Sequence, residues 1–136
     1  MAIAPERLVI PVAIREEIIA HAQDHWPREC CGVLSGAAGS PTEIHRLTNL
    51  EPGVDRYLFD DEEFFAVYWN IENRGDELVS VYHSHPVTVA YPSKTDVEFA
   101  FWPEAVYLIC SLENREAPVI RGYRIIDGAI TELDLA

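Results

Sequence analysis

The chain has 136 residues, 49% of them hydrophobic and 24% charged, a balance typical of a globular protein with one core. Its 23 acidic and 10 basic side chains give a net charge of −13, which argues against binding to nucleic acid. No apolar run approaches the roughly 20 residues of a membrane-spanning helix, and the first residues lack signal-peptide character. Its three cysteines (Cys30, Cys31 and Cys110) form no disulfide framework, so we expect a cytoplasmic protein.

Three segments are predicted to be helices from their apolar spacing and end signals. They are residues 12–25, a helix capped by Asp60 or Asp61 that runs to about Asn73, and a short helix that starts at Ser93 and is stopped by Pro103. The first helix ends before Pro27, because the residue preceding a proline is pushed out of the helical region.

Six short segments bounded by turn signals are predicted to be strands. They are residues 31–34, 42–47, 78–83, 106–110, 118–126 and 129–135. Residues 35–40 and 51–53 are predicted turns, and Asp127–Gly128 predicts a two-residue hairpin turn. The near-continuous apolar character of residues 78–83 indicates a buried central strand. The chain is therefore predicted to be a single α/β domain, residues 1–136, with a mixed sheet of about six strands flanked by helices.

The run His83-Ser84-His85-Pro86 carries the clearest chemical signal. Side chains alternate along a strand, so the two imidazoles are on one face with roots about 6.6 Å apart. That spacing allows both rings to bind one metal ion. Taken alone, however, two histidines at a strand end are more often solvated than ligating.

Ser93-Lys94-Thr95-Asp96 follows this run. The spacing fits a capping box, in which the serine caps a helix and the acid three residues later bonds back to it. It also fits a third metal ligand, Asp96, returning on the next element. The two interpretations are compatible. Two imidazoles and one carboxylate leave a ligand position open for water, as hydrolytic zinc sites do.

The remaining histidines and cysteines favour structural interpretations. His21 and His25 have the spacing of a helical zinc motif without its glutamate, so we expect the solvated end of a helix. His45 has no evident partner and is predicted to lie on the surface. Cys31 and Cys110 are predicted to be packing residues. A metal hydrolase also needs a proton shuttle, and spacing alone does not select one among 23 acidic residues.

Together, Glu29, His83-Ser84-His85-Pro86 and Ser93-x-x-Asp96 resemble the signature of the JAMM (MPN+) zinc metallopeptidases. The segment from Arg28 to Leu34 also resembles the region around the glutamate in small bacterial members. The likeness extends over nearly the whole chain and implies the JAMM/MPN fold, which is cytidine deaminase-like.

The resemblance implies one Zn²⁺ bound by His83, His85 and Asp96. It implies that Glu29 is the general acid/base and that Ser93 stabilises the oxyanion, while Ser84, on the opposite strand face, is structural. Only nine residues separate Asp96 from Val106, which leaves little room for the ubiquitin-gripping insertions of eukaryotic members.

The chain resembles the Mec-type subgroup best, whose members remove cysteine from the C-terminus of a ubiquitin-like sulfur carrier. This implies that its partner is such a carrier and that it acts in cysteine biosynthesis. Two alternatives stay open: a zinc peptidase for cell-wall or other short peptides, and a non-catalytic MPN-type binding module. A homodimer is compatible with exposed aromatic residues such as Trp69 and Trp102, which could equally lie in the core.

Overall fold

The structure, a computed structural model, describes residues 6–51 and 55–136, which form seven strands and three helices. The strands are β1 (Arg7–Leu8), β2 (Cys31–Ala37), β3 (Ser40–Leu47), β4 (Glu77–His85), β5 (Val106–Ser111), β6 (Val119–Ile126) and β7 (Ala129–Leu135). The helices are α1 (Val12–His25), α2 (Asp61–Asn73) and α3 (Lys94–Glu98).

The strands form one sheet in the order β1-β7-β6-β5-β4-β2-β3. The β1–β7 and β4–β5 pairs are parallel and the others antiparallel, so the sheet is mixed, as predicted. β4 lies between β5 and β2, and eight of its nine residues are buried. The prediction of a buried central strand from its apolar run is therefore confirmed.

Alternating residues of the sheet build one apolar cluster on each face. α1 packs on the first face, where Ile18 joins Tyr82 of β4. α2 covers the second face through Phe64 and Ile71, together with Val81 of β4. Since His83 and His85 alternate in step with Val81, they lie on the α2 side of the sheet.

Two of the three predicted helices have the expected bounds. α1 ends at His25, and α2 is capped by Asp60, whose Oδ1 accepts hydrogen bonds from two backbone N–H groups. The prediction that α3 runs to Pro103 is wrong, because it ends at Glu98. The chain then turns, and the Trp102 ring packs against Phe64.

The strands begin and end differently from the prediction at several points. β1 was not predicted, since two residues carry no periodicity. β2 continues to Ala37, so the turn of the β2–β3 hairpin is confined to Ala38 and Gly39, both with positive φ. The expected surface position of His45 is also wrong: its ring is half-buried, and its Nε2 is 2.8 Å from the buried Ser35 hydroxyl.

The β6–β7 hairpin confirms the turn prediction. Ile126 pairs with Ala129, and the two residues between them, Asp127 and Gly128, have φ of 49° and 82°. A type I′ turn requires positive φ at both central positions, which is why Asp-Gly is favoured there.

Other expectations have mixed outcomes. Pro52 and Gly53, two of the three residues of the turn predicted at 51–53, lie outside the described residues. The three cysteines are buried and unpaired, which agrees with the packing role predicted for Cys31 and Cys110. Trp69 is exposed, whereas Trp102 is partly buried in the apolar cluster. No helix in the described ranges has the length and apolar character needed to cross a membrane.

His21 contradicts the prediction of a solvated helix end, although His25 is exposed as expected. The His21 side chain is buried, and its Nδ1 shares a 2.6 Å hydrogen bond with the Tyr82 hydroxyl. Burial lowers the pKa of His21 from 6.5 to about 4, and the charges of His25 and Arg46 act in the same direction. The ring is therefore neutral in the folded protein near pH 7.

We expect this ring to contribute to acid sensitivity. Between pH 6.5 and pH 4 the unfolded chain binds a proton at His21 and the folded chain does not. The contribution of the neutral ring to the unfolding free energy is therefore fully present above pH 6.5 and decreases as the pH falls towards 4. Between pH 7 and pH 4.5, the unfolding free energy of wild type should fall by about 2–3 kcal/mol more than that of His21→Gln. Urea titrations at both pH values measure this difference, and parallel losses in the two proteins would contradict it.

Candidate metal centre

β4 brings the two histidines of the motif together. His83 and His85 both point to the α2 side of the sheet, and their Nε2 atoms are 3.2 Å apart. Both rings are almost inaccessible to solvent, with 1% and 4% of their residue surfaces exposed. Strand alternation thus fixes two nitrogen atoms at one buried point.

Asp96 reaches the same point from α3. Ser93 caps this helix: its Oγ accepts a hydrogen bond from the Asp96 N–H, and its own N–H donates to Asp96 Oδ2. The same Oδ2 is 3.0 Å from His85 Nε2 and 3.1 Å from His83 Nε2. The capping box predicted from the sequence is confirmed, and it also aims the carboxylate at the imidazoles.

The donor chemistry of these three residues fits a metal site. His85 Nδ1 is 2.8 Å from the Val89 carbonyl, which can only accept, so Nδ1 carries the hydrogen and Nε2 presents a lone pair. His83 Nε2 and Asp96 Oδ2 lie 3.2 and 3.0 Å from that nitrogen. Two imidazole nitrogens and one carboxylate oxygen are the atom types that bind a divalent cation such as zinc.

The pKa directions reflect this crowding. Burial lowers the pKa of His83. Burial alone would raise the pKa of Asp96, but the charges and hydrogen bonds of His83 and His85 hold it well below its usual range. Asp96 is therefore a carboxylate.

Glu29 lies beside this group, two residues before the start of β2. Cys31 pairs with His83, and the Cys30 carbonyl accepts the Ser84 N–H, so by alternation Glu29 is next to His85 on the same face. Only 2% of its surface is exposed, and its Oε1 has no hydrogen-bond partner among the described residues. Burial raises its pKa to about 8. Buried carboxyl groups without partners are typical of functional sites.

Both serines of the signature have defined positions. Ser93 Oγ uses a lone pair for the helix cap, which leaves its hydroxyl hydrogen free to donate. Ser84 lies on the opposite face of β4 from the imidazoles, where its Oγ accepts the Cys30 N–H at 2.8 Å. The structural role expected for Ser84 agrees with this bond, which ties β4 to the residue after Glu29.

Sequence reasoning missed three contributors to the site. Tyr57 stacks on the His83 ring with centroids 4.6 Å apart. Asn49 donates from Nδ2 to the Glu29 carbonyl, and its Oδ1 accepts the Leu58 N–H. Val89 supplies the carbonyl that orients His85. None of them had a distinguishing signal, because two lie in an unpatterned loop and the third acts only through its backbone.

The comparison with protein families agrees with this geometry. Residues 11–126 match the family described as prokaryotic homologs of the JAB domain. The match includes both histidines of β4, Asp96 and Glu29, and it extends over most of the chain.

Relatives of known name are similar over nearly the whole chain. The CysO-cysteine peptidase of Mycobacterium tuberculosis is 40% identical over 127 residues, which cover 92% of this chain and 87% of that protein. The desampylase of Haloferax volcanii is 42% identical over 117 residues, 80% of this chain and 84% of the relative.

The fold has solved counterparts as well. A protein from Desulfitobacterium hafniense superposes with a TM-score of 0.85 at 29% identity, over 95% of this chain and 91% of the other. The family expected from the sequence signature is therefore confirmed. The chain belongs to the prokaryotic JAB family, the small prokaryotic branch of the JAMM/MPN proteins, and is a hydrolase of the JAMM type.

Proposed function

We propose that this protein is a zinc peptidase that hydrolyses the amide bond at the C-terminus of a ubiquitin-like sulfur-carrier protein, for example releasing cysteine after Gly-Gly. The observation that carries the proposal is the convergence of three buried potential ligand atoms beside Glu29, whose buried Oε1 has no hydrogen-bond partner among the described residues. The similarity to a CysO-cysteine peptidase supports the choice of substrate.

Zinc suits the three proposed ligands, His83, His85 and Asp96. In a tetrahedral site with bonds of about 2.0–2.1 Å, ligand atoms lie about 3.3 Å from one another. Here the three separations are 3.0, 3.1 and 3.2 Å. Two imidazoles and one carboxylate also leave a coordination position for solvent, as in catalytic zinc sites. When bound, the ion would polarise the scissile carbonyl and lower the pKa of a water from about 16 to near 7.

Glu29 is the proposed proton carrier. Its carboxyl group takes a proton from the attacking water and delivers it to the leaving nitrogen as the C–N bond breaks, while the hydroxyl is added to the carbonyl carbon. Burial raises the pKa of Glu29 to about 8, and an adjacent cation would lower it towards neutrality. A pKa near the working pH suits a group that must both accept and release a proton.

Ser93 is the proposed donor to the oxyanion of the tetrahedral intermediate. Its Oγ–H is not needed for the helix cap, which uses only a lone pair. The cap also holds the serine at a fixed position beside Asp96, so the donor is oriented before the reaction begins. Removing one such donor typically costs about 10²–10³ in rate.

An apolar groove beside the site favours a protein substrate over short cell-wall peptides. The groove has a volume of about 410 Å³ and begins at Tyr57, which stacks on His83. Leu58, Phe65 and Phe101 line it and are each at least half exposed. Contiguous exposed apolar surface is typical of protein-binding sites. We infer that it receives the carrier next to its C-terminal tail.

The other interpretation, a non-catalytic binding module, would leave the buried carboxyl group of Glu29 without a purpose. We further infer that residues 1–136 form a single domain, since one continuous sheet runs from β1 to β3. Three buried, unpaired cysteines support a reducing compartment, and we propose the cytoplasm.

The substrate is tested by mass spectrometry of the host organism's ubiquitin-like carriers, each extended by a C-terminal cysteine. Wild-type protein should remove the added residue. Glu29→Gln should keep its metal but lose at least about 10²-fold in turnover, because the proton transfer is lost. If no carrier is trimmed, the short-peptide alternative gains support. Full activity of Glu29→Gln would assign the proton shuttle to another residue.

The ligands are tested by metal analysis. Purified wild-type protein should hold about one zinc per chain, and His85→Ala or Asp96→Ala should hold almost none, since each removes one of only three protein ligands. His45→Gln is the matched control, because that histidine bonds to Ser35 and not to the metal group. Stoichiometric zinc in both alanine variants would overturn the assignment.

The groove is tested by comparing two substrates. Phe101→Ser should raise KM for an intact carrier by about tenfold, the effect of losing about 1.4 kcal/mol of apolar contact. The KM for a short Gly-Gly-Cys peptide should stay unchanged. Val12→Ser is the control, because Val12 and Phe101 are both 70% exposed but Val12 is on α1, outside the groove. Equal effects on both substrates would refute carrier binding there.

A further inference from the structure

A second cavity borders Glu29. It has a volume of about 330 Å³ and is formed by the end of α1, residues 28–29, the end of β3 and the loop that follows. Its volume is at the low end of the range for small-molecule sites, about 300–1,000 Å³. A single amino-acid residue fits such a space, whereas a folded protein does not. Glu29 lies in its wall, which connects it to the proposed chemistry.

Basic side chains gather in this cavity although the chain as a whole has a net charge of −13. Arg28, Arg46 and His25 all line it. The Arg46 guanidinium is already neutralised by Glu17 and Asp24, at 2.6 and 3.0 Å. In contrast, the exposed Arg28 side chain has no hydrogen-bond or ion-pair partner in residues 6–51 and 55–136. Arg28 is therefore the arginine of this cavity that is available to a ligand.

The other polar side chains of the cavity are mostly engaged. Thr48 bonds to Glu63 through its hydroxyl, and Asn49 uses its side chain to hold the backbone of Glu29 and Leu58. Glu51 is the acidic residue at the loop side of the cavity, besides Glu29 itself. An incoming anion would therefore find its charged donor at Arg28, immediately next to Glu29 in the chain.

The position of Glu29 determines on which side of the metal group each half of the substrate lies. If Glu29 protonates the leaving nitrogen, the released residue lies on its side of the metal group. The apolar groove, which begins at Tyr57 against His83, then receives the acyl half. The residue that leaves carries its own α-carboxylate one carbon away from the nitrogen that Glu29 protonates.

We propose that the cavity beside Glu29 is the subsite for the released residue and that Arg28 binds its terminal α-carboxylate. The proposal rests on the proposed function. A guanidinium binds a carboxylate through two parallel N–H···O bonds, which gives orientation as well as affinity. The enzyme therefore selects substrates that end one residue after the scissile bond. A conjugate joined through a lysine side chain has no carboxylate at that position and is disfavoured.

The test uses one carrier extended by a single C-terminal cysteine, prepared either as the free acid or as the carboxamide. Wild-type protein should cleave the acid about 10- to 100-fold faster in kcat/KM, the range expected for a charge-assisted pair. Arg28→Gln should abolish this preference, and Arg28→Lys should restore part of it. Arg7→Gln, an exposed arginine on β1, is the control and should keep the wild-type preference.

Equal cleavage of acid and amide by wild type would overturn the proposal, and so would an Arg28→Gln variant that retains the preference. A general folding defect would slow both substrates and leave their ratio unchanged, so the ratio separates recognition from stability. If wild type cleaves neither carrier, the proposed function fails and the inference fails with it. Circular dichroism of each variant checks that the fold is intact.

Discussion

The site depends on bringing three electron-rich atoms together where water is scarce. His83 Nε2, His85 Nε2 and Asp96 Oδ2 are buried and lie 3.0, 3.1 and 3.2 Å from one another. Burying two imidazoles and a carboxylate is costly unless the groups are paired with one another or bind a cation. The surrounding fold supplies the rigidity: a central strand fixes both imidazoles, and a capped helix fixes the carboxylate. A central strand and a capped helix therefore hold three potential metal ligands in place.

One face of β4 carries the two imidazoles, and the opposite face carries residues that hold the strand in place. Odd-numbered residues at its end present the imidazoles to the α2 side, whereas Ser84 and Tyr82 face α1. Ser84 bonds to the backbone next to Glu29, and Tyr82 bonds to the buried His21. The α1 side thus stabilises the strand ends that carry the proposed ligands and Glu29. A substitution on that side would change where the site residues lie and would remove none of their functional groups.

Much of this could be predicted from residues with strong local signals. Period-2 placement of His83 and His85 and the Ser93-x-x-Asp96 capping box are short-range patterns that predicted the local geometry, whereas the ligand set itself needed the family signature. The helices α1 and α2 followed from apolar spacing and their ends. Glu29 needed the family signature, because nothing local distinguishes it from other acids; only the register of β2 against β4 explains its proximity to His85.

The failures have a common physical cause, which is tertiary contact between residues distant in the chain. His21 appeared to be at a polar helix end, yet Tyr82, 61 residues away, completes its hydrogen bonding inside the core. The Ser35 hydroxyl and His45 Nε2 form a hydrogen bond across the β2–β3 pair. β2 therefore continues through a polar residue where a turn was predicted. Tyr57 approaches His83 from a loop without periodicity. Each of these contacts joins residues from different segments of the chain, so no pattern within one segment could predict it.

One carboxylate oxygen takes part in both the helix cap and the metal group. Asp96 Oδ2 accepts the Ser93 N–H that closes the first turn of α3, and it also faces both imidazoles. Ion affinity and local helix order are then thermodynamically coupled, because whatever stabilises one must stabilise the other by the same free energy. Removing an ion bound by Asp96 would therefore act first on the five-residue α3, which carries this carboxylate, rather than on the central sheet.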